Sequence, residues 1–478
     1  MLFNSVNFAL FLPIVFIGYW FIANKSLKKQ NILLLIASYF FYACWDWRFV
    51  FLLAFSTLLD YYSGIKIFEL NKKSKQKFWL VISVGINLGF LGVFKYYNFF
   101  AETFAQMLLN FGLKVHYSTL KIILPVGISF YTFHGLSYVF DIYFQRIKPT
   151  YNFVNYTLFV CFFPLLVAGP IERATHLLPQ VEKPRTFDYS KAVDGMRQIL
   201  WGLFKKIVIA DTCAEHANLI FDHADSYGGS TLFIGALMFT FQIYGDFSGY
   251  SDIALGTARL FGFELLRNFA FPYFSRDIAE FWRRWHISLS SWFRDYLYFP
   301  LGGSKGGTFM KIRNTFAIFL VSGFWHGANW TFVFWGALNA FYFLPLLLTN
   351  SNRNNIEIVA KGRLLPTFKE CFYMLITFLM TVFAWIFFRA ASLTDAFHFV
   401  STLFSKSLFE NPHFIPKFSL LLIAFLMSIE WLGRESAFAL SKLGNAWPRA
   451  LRWTFYFLIL TTIFIFNGKE QQFIYFQF

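Results

Sequence analysis

The sequence predicts an all-α, polytopic integral membrane protein with about twelve membrane-spanning helices around a central cavity. Three observations carry that prediction. Of 478 residues, 57% are hydrophobic and 23% aromatic, including 70 phenylalanines. Charged residues make up only 14%, where soluble domains run at about 25%. Apolar stretches of bilayer-crossing length recur from residue 2 to residue 466 and leave no segment polar enough for a separate soluble domain. With a mean hydropathy of +0.50, the composition excludes a water-soluble enzyme.

In chain order, spans are expected at 5–21, 31–45, 48–68, 78–98, 119–143 and 152–168, where helix-interrupting charges are few. No basic stretch precedes the first of these, since the first cation is Lys25, so that segment is expected to stay as a helix and not to be cleaved as a signal. The region 169–312 is mixed. It holds a polar connector, an amphipathic stretch at 201–210, a span at 231–250 and an aromatic segment dense in arginine. Irregular backbone and charge at membrane depth are tolerated only where protein or a water-filled cavity surrounds them, so re-entrant or amphipathic segments are expected to build a cavity here. Later spans are expected at 313–330, 331–348, 370–388, 417–431 and 452–466. The chain reads as one membrane-embedded domain, with N-terminal helices at 1–168, a catalytic core at 169–350, C-terminal helices at 351–466 and a tail at 467–478.

The formal charge is +16, but the cations cluster in short loops: Lys25, Lys28 and Lys29; Lys72, Lys73, Lys75 and Lys77; Arg353, Lys361, Arg363 and Lys369; Arg434, Lys442, Arg449 and Arg452. By the positive-inside rule these loops are cytoplasmic, which puts both termini outside and argues against nucleic-acid binding. Cys44, Cys161, Cys213 and Cys371 form no C-x-x-C pair. They therefore read as packing residues, with no metal or redox site.

Of nine histidines, His286 and His326 stand out as lying in aromatic sequence at membrane depth, where an ionisable group is a functional candidate. The bland alternative is a neutral imidazole satisfied by a carbonyl, and it is stronger for His286, whose neighbours are bulky. His326 is flanked by Gly323 and Gly327, which admit close backbone approach or a helix break, as a reaction centre in a cavity wall requires. Arg276, Arg283, Arg284 and Arg294 alternate with Asp277, Glu280 and Asp295 at spacings that fit either internal helix pairs or cations facing a phosphate-bearing ligand. Lys205 and Lys206 read more simply as interfacial snorkellers. The run Tyr244-Gly-Asp-Phe-Ser-Gly-Tyr-Ser-Asp252 suits a polar cavity lining or a helix-ending turn. Ser248 does not sit in a G-x-S-x-G elbow, so a serine hydrolase has little support.

Four stretches together resemble the membrane-bound O-acyltransferase family, close to the branch that acetylates alginate and peptidoglycan. They are Met1-Leu-Phe-Asn-Ser5, the 244–252 run, the block from Phe281 through Trp292-Phe-Arg-Asp-Tyr-Leu-Tyr-Phe-Pro-Leu-Gly-Gly303, and Ser322-Gly-Phe-Trp-His-Gly327. The resemblance implies a multi-helix fold around an aromatic-walled funnel in a bacterial inner membrane. It implies acetyl-CoA as cytosolic acyl donor without a metal, an extracytoplasmic polysaccharide as acceptor, and a periplasmic acetyltransferase of the SGNH type as partner. It makes His326 the essential histidine and His286 a second family position of variable role. Arg283, Arg284 and Trp325 become candidates for holding the donor.

Transfer from a thioester to a hydroxyl needs the hydroxyl proton removed during attack, and an imidazole with pKa of about 6.5 suits that task. Donors for the carbonyl oxygen could come from His286, a tryptophan N–H or backbone N–H groups at Gly327. The tail Phe473-Ile-Tyr-Phe-Gln-Phe478 has the form F-x-Y-x-x-F, similar to the tail of a small partner protein in D-alanine transfer to teichoic acid. That similarity suggests Tyr475 as an acyl relay; an aromatic interfacial anchor is the competing reading. An extended chain from Asn467 to Tyr475 covers roughly 26–29 Å, enough to fold back toward mid-membrane. D-alanyl transfer, or a transporter with no covalent step, are the alternative functions.

Overall fold

The computed structural model describes residues 1–113, 119–120, 123–167, 169–468 and 471–474. Among the described residues all regular structure is helical. That is what an apolar chain in hydrocarbon requires, because a helix satisfies its own backbone donors and acceptors. Five helices among the described residues are long and apolar enough to cross a membrane: Arg48–Glu69, Lys73–Asn110, Trp330–Leu348, Phe368–Arg389 and Arg449–Phe466.

The expected dozen spans was a count of apolar stretches, and several of these are not single long helices. The stretch at 152–168 is broken at Phe162, whose ψ of 115° separates Phe153–Cys161 from Phe163–Leu166. In the stretch at 119–143 a helix begins at Ile128, after Gly127 turns with φ of 73°. The first apolar run is Val6–Ile17 followed by a π-helical turn, Gly18–Ile22. Conversely, the span expected at 231–250 is part of a 32-residue helix, Gly229–Leu260.

The chain divides into two compact units, residues 1–193 with 257–266, and residues 194–256 with 267–478. In the first unit, helix Arg48–Glu69 buries Asp60, which accepts hydrogen bonds from Ser83 Oγ at 2.6 Å and Asn87 Nδ2 at 2.8 Å. Arg185 donates to the carbonyls of Gln180 and Val181 and to the side chains of Tyr19 and Asn31. Helix Ile128–Tyr143 also buries His134, an intramembrane histidine that the sequence reading passed over. Its Nδ1 lies 3.4 Å from the carbonyl of Val160.

In the second unit, helices Gly307–His326 and Trp330–Leu348 form an antiparallel pair joined by a short turn. Two glycines let them touch backbone to backbone. A Cβ on Gly323 would lie 2.2 Å from the carbonyl oxygen of Phe332, and one on Gly336 would lie 2.3 Å from that of Phe319. Small residues at such a crossing supply the close packing that holds helices together where no hydrophobic effect acts between them.

Candidate active site

His326 is the last residue of its helix, which stops because Gly327 takes an extended conformation, φ −164° and ψ 154°. Asn329 caps the next helix by accepting from the Thr331 amide at 3.1 Å. The helix end, where backbone groups run out of intrahelical partners, thus falls beside the imidazole. The ring is only 3% exposed. It lies 4.9 Å from Trp325, 5.2 Å edge-on from Trp335 and 5.2 Å from Phe388, centroid to centroid. Trp335 in turn stacks on Trp385 at 5.5 Å.

His286 sits 6.5 Å from His326, ring to ring, and 6.0 Å from Trp325. It occupies the turn between helices Ile278–Arg284 and Ile287–Phe293, with φ of 42° and ψ of 54°. A left-handed histidine is rare and persists only where its surroundings enforce it. Here the Ile287 amide donates to the Asn268 carbonyl at 2.9 Å, and Ser288 Oγ donates to Asn268 Oδ1 at 2.5 Å. The Asn268 side-chain amide reaches Ser251 Oγ at 2.8 Å, which ties this turn to the 244–252 run. Phe247 closes on the His286 ring at 4.6 Å. The side chain is buried, and neither ring nitrogen has a hydrogen-bond partner among the described residues. A buried imidazole with both nitrogens unengaged is costly unless a ligand or substrate uses them.

The sequence thus placed His286, His326 and Trp325 in candidate roles, and the fold brings all three together. The arginines behave differently. Arg284 pairs with Glu280 at 2.7 Å and donates to the Ala270 carbonyl; Arg276 pairs with Glu280 at 3.0 Å. Arg283 donates to the carbonyls of Asn352 and Asn355 at 2.7 and 2.8 Å. Arg276 and Arg284 thus make, with Glu280, the internal pairs that their spacing allowed, whereas Arg283 fastens the short helix Ile278–Arg284 to the segment that follows helix Trp330–Leu348. Tyr475 lies outside the described residues.

Lys205 and Lys206 are not interfacial snorkellers. Both are buried, in a π-helical stretch Phe204–Ala210, because each finds carboxylates inside the protein. Lys205 pairs with Asp252 at 2.6 Å and approaches Glu430 at 4.0 Å, while Tyr244 donates its hydroxyl proton to Glu430 at 2.7 Å. A cavity of about 20 Å³ adjoins this cluster, lined by Gln198, Lys205, Tyr244, Asp252 and Glu430 among others. That is room for one water. Lys206 pairs with Asp211 at 2.7 Å and Asp246 at 2.8 Å. Glu430 and Asp211 were missed by sequence reasoning. Glu430 had a readable signal as the sole acid in the apolar helix Lys417–Gly433, a position that marks function by default.

Sequence comparison accords with this geometry. A model of the membrane-bound O-acyltransferase family matches residues 144–388, a range that contains both histidines. The "Probable alginate O-acetylase AlgI" of Pseudomonas aeruginosa is 40% identical over 407 residues, covering 85% of this chain and 75% of that protein. The "Peptidoglycan O-acetyltransferase" of Helicobacter pylori is 36% identical over 425 residues, covering 83% and 78% respectively. A "Teichoic acid D-alanyltransferase" of Bacillus subtilis is 29% identical over 237 residues, covering 47% of this chain and 59% of its own. With two buried histidines 6.5 Å apart, ring to ring, among aromatic side chains and matches of this length around them, the chain belongs to the membrane-bound O-acyltransferase family.

Proposed function

We propose that this acyltransferase moves an acetyl group from cytosolic acetyl-CoA across the bacterial inner membrane for O-acetylation of an extracytoplasmic polysaccharide of the alginate or peptidoglycan type. The observation that carries the reading is the His286–His326 pair, two imidazoles 6.5 Å apart in a buried aromatic enclosure. Low dielectric and excluded water strengthen every charge-stabilising contact made there. Acetyl is favoured over D-alanyl because the relatives named for acetylation match 85% and 83% of the chain and the one named for D-alanyl transfer 47%.

In the proposed first step a hydroxyl oxygen attacks the thioester carbonyl while His326 takes the hydroxyl proton. The C–S bond breaks as the C–O bond forms, and the proton passes to the departing thiolate, so free CoA leaves and His326 is again neutral. His286 faces the same space and supplies a donor or orienting contact for the carbonyl oxygen. Trp325 walls the enclosure against the donor's acyl end, and Arg283 and Arg284 hold the frame that carries His286. Tyr475 is the proposed first acceptor. Its phenol, with pKa of about 10, leaves more readily than a sugar alkoxide. A second nucleophile, either a sugar hydroxyl or a hydroxyl of a periplasmic SGNH-type partner that then passes the acetyl to the sugar, attacks the ester carbonyl; the bond to the Tyr475 oxygen breaks and the attacking hydroxyl's proton goes to the phenolate, which regenerates the phenol.

The test uses purified protein, labelled acetyl-CoA and mass spectrometry of the C-terminal peptide. The native chain is expected to release free CoA and carry label on Tyr475. His326→Ala is expected to lower CoA release by about 10²–10⁴-fold while eluting as a folded protein, and Tyr475→Phe is expected to carry no label. Full turnover by His326→Ala would end this reading.

A further inference from the structure

Helix Arg449–Phe466 ends at Asn467, yet the chain at 473–474 is buried in the second unit. Phe473 and Ile474 are 0% and 1% exposed. The Phe473 ring packs on Tyr250 at 4.4 Å and lies 6.4 Å from Phe247. Phe247 is the same side chain that closes on His286 at 4.6 Å. One aromatic ring therefore separates the tail from the histidine pair.

What holds the tail there is a buried charge cluster. Lys206 Nζ lies within 2.7 Å of Asp211, 2.8 Å of Asp246 and 3.0 Å of the Gln471 carbonyl oxygen. The Ile474 amide donates to Asp246 Oδ2 at 2.6 Å, and the Gln471 backbone makes a further hydrogen bond to Asp211. Each of these polar contacts goes to main-chain atoms of the tail, so the cluster reads where the chain lies. The Phe473 ring adds the register. One ammonium faces two carboxylates, and buried carboxylates need donors beyond a shared cation. Backbone N–H groups of the tail supply them.

We propose that Lys206, Asp211 and Asp246 form a clamp that binds the backbone of the C-terminal tail and fixes its register beside the His286–His326 pair, up to the residue that precedes Tyr475. In this role they are positioning residues. The part of the proposal that concerns acyl transfer rests on the Tyr475 reading above, whereas the clamp itself does not. The sequence motif 244–252 thereby acquires a function, with Asp246 gripping the tail and Phe247 bridging it to His286.

The experiment is hydrogen–deuterium exchange on the detergent-solubilised full chain, with acyl labelling of Tyr475 measured on the same samples. In the native protein, amides of 471–474 are expected to exchange at least about 10-fold more slowly than in a free peptide of the same sequence. Asp246→Ala is expected to restore the free-peptide rate while peptides from helix Gly307–His326 keep their protection. Ile474→Pro removes the donated N–H while leaving Lys206, Asp211 and Asp246 in place, so it is expected to do the same even if Asp246→Ala fails to fold. Both variants are expected to lose label from Tyr475. Free-peptide exchange in the native protein, or protection that survives Ile474→Pro, overturns the clamp. Full labelling with the clamp released overturns its positioning role. Protection without any label on native Tyr475 supports the clamp and refutes the relay instead.

Discussion

The buried ions set the stakes at individual side chains. Lys205 is the cation that Asp252 and Glu430 share, and all three lie out of water, with side-chain exposures of 4%, 15% and 3%. Removing one partner from such a set strands the others, at a cost of about 3–5 kcal/mol. Lys205→Met is therefore expected to lower the thermal unfolding midpoint in detergent by several degrees, and the additional change Glu430→Gln is expected to recover part of the loss by deleting one stranded charge. The two site histidines were legible in the sequence because ionisable groups in a run of tryptophan and phenylalanine have few innocent explanations. The partners of Lys205 and Lys206 were not. Lys206 meets a tail carbonyl 265 positions away, a contact that no local spacing announces, and two adjacent lysines at the end of an apolar stretch look the same whether they reach outward to headgroups or inward to acids. His134 escaped notice for a related reason, since its neighbours in Ser-Phe-Tyr-Thr-Phe-His-Gly are those of an ordinary apolar helix.

Helix pairs succeed or fail on their small residues. Gly323 and Gly336 face each other across the Gly307–His326 and Trp330–Leu348 crossing, and each lacks space for one more carbon. Gly323→Ala is expected to push the helices apart at a cost of about 1–3 kcal/mol and to lower activity by displacing His326, one turn further along. Gly85→Ala, in helix Lys73–Leu91 where nothing lies within 4 Å of the added methyl, is the control and is expected to keep or raise the unfolding midpoint, because alanine suits a helix interior better than glycine. Element type was readable throughout from apolar runs of helical length. Breaks were harder to read. Phe162 splits its stretch without a glycine, and Pro164 one residue inside the following helix is the only local cue; Pro13, by contrast, lies within Val6–Ile17 without ending it. Propensity alone cannot separate those two prolines, because the outcome depends on whether neighbours re-satisfy the freed backbone groups.

For the molecule as a whole, the excess of cations is an orientation signal. Lys28 and Lys73, in the first turns of helices Leu27–Ala43 and Lys73–Leu91, and Arg353 and Lys442, in connections between helices, lie on the side assigned to the cytoplasm by the positive-inside rule. In a background where the exposed Cys44 and Cys371 are replaced by serine, single cysteines at these four positions are expected to react with a membrane-impermeant maleimide only after the cells are opened. Labelling in intact cells would reverse the proposed direction of acyl movement. Composition pointed to the membrane class, and the stretches at 1–5, 244–252, 281–303 and 322–327 carried the resemblance to the family that the sequence comparisons show. The number of crossings was not recoverable in the same way, because hydropathy counts apolar stretches whether they run straight, bend or end early.

The inward course of residues 471–474 has a practical corollary for anyone handling this protein. A purification handle or fluorescent reporter fused directly after Phe478 would be leashed to the buried Ile474 by four residues. Such fusions are liable to tug the strand from its seat and silence the enzyme, so epitope placement belongs at the amino end or in a polar loop.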